Sequence, residues 1–408
     1  MSKYISNVAD VIDCLHSTPE YSKNGFPIAR VEDINDWFIN YDNCLKVTKE
    51  ICDEHNRNHV PTEGDIVITR VGSFGRMAYV KDKTKFCLGQ NISIIVPKEN
   101  PKFIYYYLKS PYAQKFIHGN SNGSSYKSLS LAQIKNIPFK DEGLNKKRIG
   151  ELLFNIDLKI DNNNKTIKKL EEYINKVYEY WFYQFEFPNE NNKPYFSSNG
   201  EMIWNDKLKR NIPKEWKVEN LKDNSIMKIV NPGIKKFTGE KQYLATADVV
   251  NNDIISSSNI TYDNRESRAN MQPVENSVWF AKMKNSIKHI FVAEYSKELL
   301  DNNIFSTGFL GLQCKNKEYL EYIYSVINAK VFEIHKDKLA HGATQEAVNN
   351  EDIKLIPLLI PTEEVIIKFN KYTQSALKKI YNCNVENSKL ISYRDFILPL
   401  LYNGQAQI

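Results

Sequence analysis

The sequence predicts an α+β protein: two mixed α/β domains in a pseudo-twofold arrangement, separated by two long helices that pair antiparallel as a coiled coil. Three observations predict it. One segment occurs twice, a heptad-spaced apolar stretch follows each occurrence, and short β-branched runs bounded by turns precede each. Ser128–Pro138 returns as Gln345–Pro357, and the Ile-Lys-x-Ile-Pro core of Ile134–Pro138 is identical in Ile353–Pro357. The offset is roughly 219 residues, far above the periods of solenoid repeats. The chain therefore duplicates a domain-plus-helix unit.

Within residues 1–147, Gly64–Arg70 reads as a turn running into a β-branched strand, and Asn91–Pro97 as a second buried strand ended by proline. Tyr105–Phe116 reads as a short helix. The second domain, 213–360, repeats the order with Ser277–Lys282, Thr307–Leu312 and a helix over Lys317–Phe332. Between them lie the first long helix, 148–187, and a polar, turn-rich linker, 188–212. The second long helix occupies 361–408.

In the first long helix Ile149, Leu153, Ile156, Ile160, Asn163, Ile167, Leu170, Ile174, Val177 and Trp181 alternate gaps of four and three, the a/d seam of a coiled coil. A lone asparagine in such a seam costs stability and fixes register, which is the expected role of Asn163. An ordinary bundle helix is the alternative, and sustained alternation argues against it. In the second, Thr362 is the expected N-cap, with Glu363 and Glu364 in the first turn. Ile366, Phe369, Leu377, Ile380, Ile391 and Leu398 continue its seam less cleanly, and Cys383, Asn384 and Asn387 make its middle polar. At 1.5 Å per residue, an antiparallel pair of such helices makes a rod of about 50 Å.

Composition is that of an ordinary globular chain of two or three domains, 42% hydrophobic and 25% charged over 408 residues. A net charge of +6 permits a polyanionic partner without requiring one. Six cysteines without a C-x-x-C pair fit a reducing compartment. Neither a signal-like start nor a stretch of about 20 apolar residues is found, so the expectation is a cytoplasmic protein with no membrane partner.

Catalysis leaves no constellation here. Asn136-Ile137-Pro138-Phe139 departs from the Asn-Pro-Pro-Phe signature of adenine-N6 methyltransferases and reads as a domain-closing turn. There is no G-x-G-x-x-G and no P-loop. His55 and His59 stand four apart, could share a helix face, and lack a third ligand nearby, so a surface pair is expected and no metal site.

What the domains carry are polar loops with donors suited to DNA. Arg70–Arg76 offers Arg70, Ser73 and Arg76 with glycine-bounded amides; arginine reads guanine bidentately, while hydroxyls and amides hold phosphates. The matching stretch of the second domain is Lys282, Lys284, Lys288 and His289. Ser124, Ser125, Tyr126 and Lys127 precede the first Ile-Lys-x-Ile-Pro core, as Thr344 and Gln345 precede the second, and Arg30 completes the candidate set. The plain alternative is that these are solvated hairpin tips; recurrence in both repeats with changed side chains favours binding.

Lys146-Lys147-Arg148-Ile149-Gly150-Glu151-Leu152-Leu153, followed by Ile156-Asp157 and Lys159-Ile160, resembles the opening of the central helix of specificity (S) subunits of type I restriction–modification systems. Lys193-Pro194-Tyr195, Ser197–Met202, Trp204-Asn205 and Leu208–Arg210 resemble that family's linker, Ile212–Trp216 the start of its second recognition domain, and Arg394–Leu401 with Gly404 the end of its distal helix. The resemblance implies two target-recognition domains, each reading one half of a bipartite double-stranded DNA target. It implies helices that set the spacing and dock two methyltransferase (modification) subunits, which methylate adenine, with restriction/translocase subunits joining that core. S-adenosylmethionine, ATP and Mg2+ then belong to the partners, and this chain is a non-catalytic subunit with no cofactor of its own. If both domains lie on one face of the duplex, their half-sites are expected about one turn, near 34 Å, apart. The rival expectations are a coiled-coil adaptor with protein-binding terminal domains, and a recognition chain that itself methylates.

Overall fold

The computed structural model describes residues 3–34, 37–119, 128–343 and 345–408. The chain divides into two units, Met1–Asn162 with Glu386–Ile408, and Asn163–Val385, so each unit takes one part of both long helices.

The first unit holds strands β1 (Ala9–Asp13), β2 (Phe26–Ala29), β3 (Leu45–Val47), β4 (Ile66–Thr69), β5 (Met77–Tyr79), β6 (Cys87–Leu88) and β7 (Ile92–Pro97). Its helices are α1 (Ile5–Val8), α2 (Lys49–His55), α3 (Pro101–Lys109), α4 (Pro111–Gly119), α5 (Leu131–Lys135) and the first part of α6 (Lys146–Tyr178). One sheet has the antiparallel order β1-β7-β4-β5; the other has the order β3-β2-β6, with β2 parallel to β6. Every residue of β4 is buried because the sheet is covered twice. Ile66 and Ile68 face α3 and α6, while Val67 packs with Phe86, Leu88 and Ile34 on the other side. Cover on both faces turns the alternation of a half-buried strand into a continuous apolar run.

The second unit repeats this frame. It contains β8 (Met202–Asn205), β9 (Arg210–Pro213), β10 (Lys217–Asn220), β11 (Met227–Ile229), β12 (Lys241–Leu244), β13 (Val249–Val250), β14 (Asp253–Ile254), β15 (Ser258–Ile260), β16 (Ala269–Met271), β17 (Ser277–Ala281), β18 (His289–Val292), β19 (Asn303–Ser306), β20 (Phe309–Cys314) and β21 (Pro357–Ile360). Helices α7 (Lys297–Asn302), α8 (Leu320–Asn328), α9 (Lys330–Leu339) and α10 (Glu363–Tyr402) complete the chain, α10 ending in the first unit. The order β11-β20-β17-β18 matches β1-β7-β4-β5, and β12 lies parallel to β19 as β2 does to β6. Strand β16, added beside β19, has no counterpart in the three-stranded sheet of the first unit. Trp279 of β17 sits opposite Gly311, where an added Cβ would lie 2.7 Å from the indole, so only glycine leaves room for that ring.

The repeated Ile-Lys-x-Ile-Pro core closes each domain. Ile5 N donates to Ile137 O (2.9 Å), and Leu221 N donates to Ile356 O (3.0 Å) in the same way. Ser130 caps α5, exchanging bonds with Gln133, and Asn349 exchanges bonds with Asp352 at the equivalent turn. Two expected helices are each broken in two. Pro111 forces Ser110 into an extended conformation (ψ 151°) between α3 and α4, and Ala329 (ψ 134°) separates α8 from α9. The linker carries the β8–β9 hairpin.

In the long helices Ile149, Leu153, Ile156, Asn163, Ile167 and Ile174 are buried, and Ile160 and Leu170 partly so. On α10 the buried line runs Ile366, Phe369, Thr373, Ala376, Leu377, Ile380, Cys383, Asn387, Arg394, Ile397, Leu398 and Leu401. With partly buried Leu390 included the steps are three or four, except at Ala376–Leu377 and Ile397–Leu398, where two adjacent residues are both buried. Ile391 is a correction: at 39% exposed it lies one position off this line, chosen by apolarity where register selects Leu390. The helices run antiparallel within each unit. Asp157 meets Arg394 and Lys159 meets Glu386 in the first; Tyr173 meets Tyr372 and Trp181 meets Phe369 in the second.

Arg394 is buried with Asp157 (2.7 Å), whose other oxygen accepts from the Tyr106 hydroxyl (2.5 Å), and its guanidinium stacks 3.7 Å from the Trp37 ring. Burial raises the Asp157 pKa against the pull of Arg394 and Tyr106. Replacing Arg394→Leu leaves that carboxyl without its cation and should cost about 3–5 kcal/mol in denaturant unfolding, most of which Asp157→Leu in the same chain should restore. In the second unit Asn370 Nδ2 donates to the buried Glu321 carboxyl (2.6 Å), and burial pushes its pKa from 4.5 up to about 7. A folded pKa above the unfolded value means that this group's stabilisation is full below pH 4.5 and declines as pH rises through 7. Thermal unfolding of Glu321→Gln should therefore lose less stability between pH 5 and pH 8 than the parent, by roughly 2–3 kcal/mol.

Candidate nucleic-acid interface

Strands β4 and β5 join through Arg70–Arg76, a loop that Thr69 holds shut. Its hydroxyl donates to Ser73 O (2.7 Å) and accepts from Arg76 N (3.0 Å), and Gly75 N donates to Thr69 O (2.8 Å). Gly75 has φ +79°, and a Cβ there would lie 2.9 Å from the Ile117 side chain, so two constraints demand glycine. Ser73 and Arg76 are exposed.

Arg70 is clamped. Its Nη1 meets Asp13 Oδ1 at 2.5 Å and its Nε donates to Leu129 O at 3.0 Å. Burial works against the Asp13 carboxylate, but bonds from Arg70 and His16 outweigh it and hold the carboxyl below its usual range. Arg30, just after β2, is likewise satisfied by Asp33 (3.1 Å) and by Glu32. It lines a cleft of about 270 Å³ with Tyr21, Gln90 and Asn91. Because Arg70 N donates to Asn91 O (2.8 Å), the two arginines flank the β6–β7 turn.

The second unit builds the same site with other side chains. Val348 N donates to Lys282 O (3.0 Å) as Leu129 N donates to Arg70 O (2.8 Å), and Met283 bridges Ala347 as Val71 bridges Ser128. Lys284 pairs with Glu346 (2.7 Å), and Lys288 Nζ donates to Thr246 O (2.5 Å). Lys282 is half-buried, and both burial and the nearby Arg268 lower its pKa. Gln345 is exposed. Thr344, Ser124, Ser125, Tyr126 and Lys127 lie outside the described residues.

His289 is a correction: it is 2% exposed, between Asn328 (3.0 Å) and Glu333 (2.9 Å). It opens β18, and burial of that strand takes it inside. Lys336, fully buried, meets the other Glu333 oxygen at 2.6 Å and donates to Ser286 O at 2.8 Å, tying the hairpin tip to α9. Burial opposes the Glu333 carboxylate, but His289 and Lys336 prevail and keep its pKa low. His55 and His59 also part company: His55 meets Leu88 O (2.9 Å), and His59 meets Asp65 (2.7 Å) beyond the end of α2.

Arg268 escapes a reading of the sequence alone. It sits beside β16, in the sheet extension the first repeat lacks, so repeat comparison does not find it. One signal existed: Arg265 and Arg268 are the only arginines between residues 213 and 360. Among the described residues no cluster of three or more His, Cys, Asp or Glu could hold a metal ion, and no helix is long and apolar enough to cross a membrane.

A family profile described as the type I restriction modification DNA specificity domain matches residues 5–172. The specificity subunit of the type I restriction enzyme MjaIX of Methanocaldococcus jannaschii is 24% identical over 369 residues, covering 85% of this chain and 78% of that protein. Residues 5–172 thus match the specificity-domain family of type I restriction–modification systems. The EcoBI specificity subunit of Escherichia coli is 31% identical over 117 residues, 28% of this chain and 24% of that one. Among solved structures, the S subunit of the type I system of M. genitalium shares the fold, with a TM-score of 0.60 and 16% identity over 98% of this chain and 95% of that one.

The tether beneath the second hairpin is open to test. Lys336→Met removes the cation from buried Glu333 and frees Ser286; denaturant unfolding should show a loss of about 3–5 kcal/mol.

Proposed function

We propose that this chain is the non-catalytic DNA-recognition subunit of a type I restriction–modification complex. Residues 1–147 and 213–360 each read one half of a bipartite double-stranded target. The helices of 148–187 and 361–408 set the spacing and dock two methyltransferase (modification) subunits, with restriction/translocase subunits joining them. S-adenosylmethionine, ATP and Mg2+ act in those partners.

The observation that carries this reading is one backbone frame offering two different sets of side chains. Lys282 N donates to Gly308 O as Arg70 N does to Asn91 O, yet the loops that follow, Arg70–Arg76 and Lys282–Lys288, share almost no side chains. A duplicated frame with divergent tips suits an asymmetric two-part target. Backbone amides and cations at the tips fit phosphate contacts, and arginine and glutamine fit base edges.

The helices offer protein-facing surface as well. Tyr173 and Tyr180 are 42% and 40% exposed on the first helix, and Tyr393 and Phe396 are 51% and 68% exposed on the second. Exposed aromatics on both helices suit docked subunits more than bare solvent.

Exchanging residues 1–145 for the corresponding domain of another family member tests the reading. Mapping methylated adenines in cells carrying the chimera and its modification subunit should show one half of the target changed and the other retained. A change in both halves, or in neither, would overturn modular recognition.

A further inference from the structure

The β19–β20 turn, Thr307–Gly308, lies between two cations. Thr307 N donates to Arg268 O (2.8 Å) on one side, and Lys282 N donates to Gly308 O (3.0 Å) on the other. The equivalent β6–β7 turn of the first unit is also flanked by two cations, Arg30 and Arg70, but there each has a carboxylate: Asp33 and Glu32 for one, Asp13 for the other. In the second unit, among the described residues, neither Arg268 nor Lys282 forms an ion pair.

The difference is built in by sequence. The register of β11 on β20, continued past Ile229, gives Asn231 the place that Asp13 holds opposite Ser93, an amide where the first repeat has a carboxylate. Asp248, the counterpart of Asp33, accepts from Ala245 N (2.8 Å) as Asp33 does from Arg30 N (2.9 Å), but the residue it caps has no guanidinium. Lys284 and Lys288 nearby are engaged by Glu346 and by Thr246 O. What remains is a like-charged pair, with Lys282 half-buried beside Arg268 and its pKa lowered accordingly. Holding two cations across one turn without an acid is unfavourable for the free protein, and an anion bridging them reverses the sign.

We propose that Arg268 and Lys282 form a phosphate-binding site for the DNA backbone at the β19–β20 turn of the second recognition domain. The proposal rests on the DNA-recognition reading and adds an asymmetry to it. The first domain neutralises its pair internally, so its arginines are oriented by acids and spared the duty of charge neutralisation. The second leaves its pair for a phosphodiester. Phosphate contacts of this kind fix position on the duplex without selecting bases, and each releases counterions, so they appear in the salt dependence of affinity.

The test uses the full chain with its modification subunit. Selection from a random duplex library gives the target of the parent complex; affinity for that target and for an unrelated duplex is then measured from 50 to 200 mM salt. R268Q/K282Q should weaken both affinities by a similar factor and flatten the slope of log affinity against log salt by about one for each phosphate no longer neutralised, with the selected sequence unchanged. The charge-preserving R268K/K282R should keep the parent slope, and the melting temperature of R268Q/K282Q should not fall, because a repulsion is removed. An unchanged slope, or an altered base preference in one half-site, overturns the phosphate assignment while leaving DNA recognition standing. Failure of the parent complex to enrich any sequence overturns the DNA-recognition reading, and this site with it.

Discussion

The buried contact between Arg394 and Asp157 is the constraint on which the first unit turns. A buried carboxylate is tolerable only where a cation meets it, and sliding α10 along α6 by a turn would leave Asp157 buried without one, while Arg394 would keep only its neighbour Asp395. The pair therefore selects one register. Through Tyr106 on the carboxylate and Trp37 beneath the guanidinium, the same contact ties α10 to the domain that precedes α6. Asn163 and Asn387, both buried in their helices, add polar positions to the same seams. The second unit uses Glu321 and Asn370 to join α8 to α10.

With the helices fixed, each domain needs only a closed frame to hold its loops. The Ile-Lys-x-Ile-Pro turn supplies the closure, since Ile137 accepts a bond from the start of α1 and Ile356 accepts one from Leu221, just past β10. Burial of Ile134 and Ile353 accounts for why the core of the motif is kept while the residues before it diverge. Side chains at the tips can then differ between the two domains, because each loop also joins its frame through the same backbone bonds, Arg70 N to Asn91 O and Lys282 N to Gly308 O.

Much of the fold was legible because it rests on local spacing. Strands β4 and β17 show as apolar runs, and the seam of α6 as alternating gaps of three and four. The polar middle of α10 was harder. Cys383, Asn387 and Arg394 lie on the buried line, and an apolarity rule steps over them to Ile391, which faces out. The candidate binding surface was least legible. Placing His289 among the tips failed because the end of a loop and the first residue of a buried strand look alike in sequence. Missing Arg268 had a different cause: it reaches the site through a strand pairing more than thirty residues away in sequence, with Ser306 opposite Ala269.

By itself the sequence determined the duplication, the helical seams, the absence of nucleotide-binding motifs and the family resemblance, because each depends on residue identity at fixed spacing. Tertiary structure decided which cations have acids. Arg70 and Lys282 occupy the same place in two repeats of one frame, and only strand register reveals that Asp13 stands beside one while Arg268 stands beside the other. Charge neutralisation is a matter of a few ångströms across strands, and spacing along the chain carries no record of it.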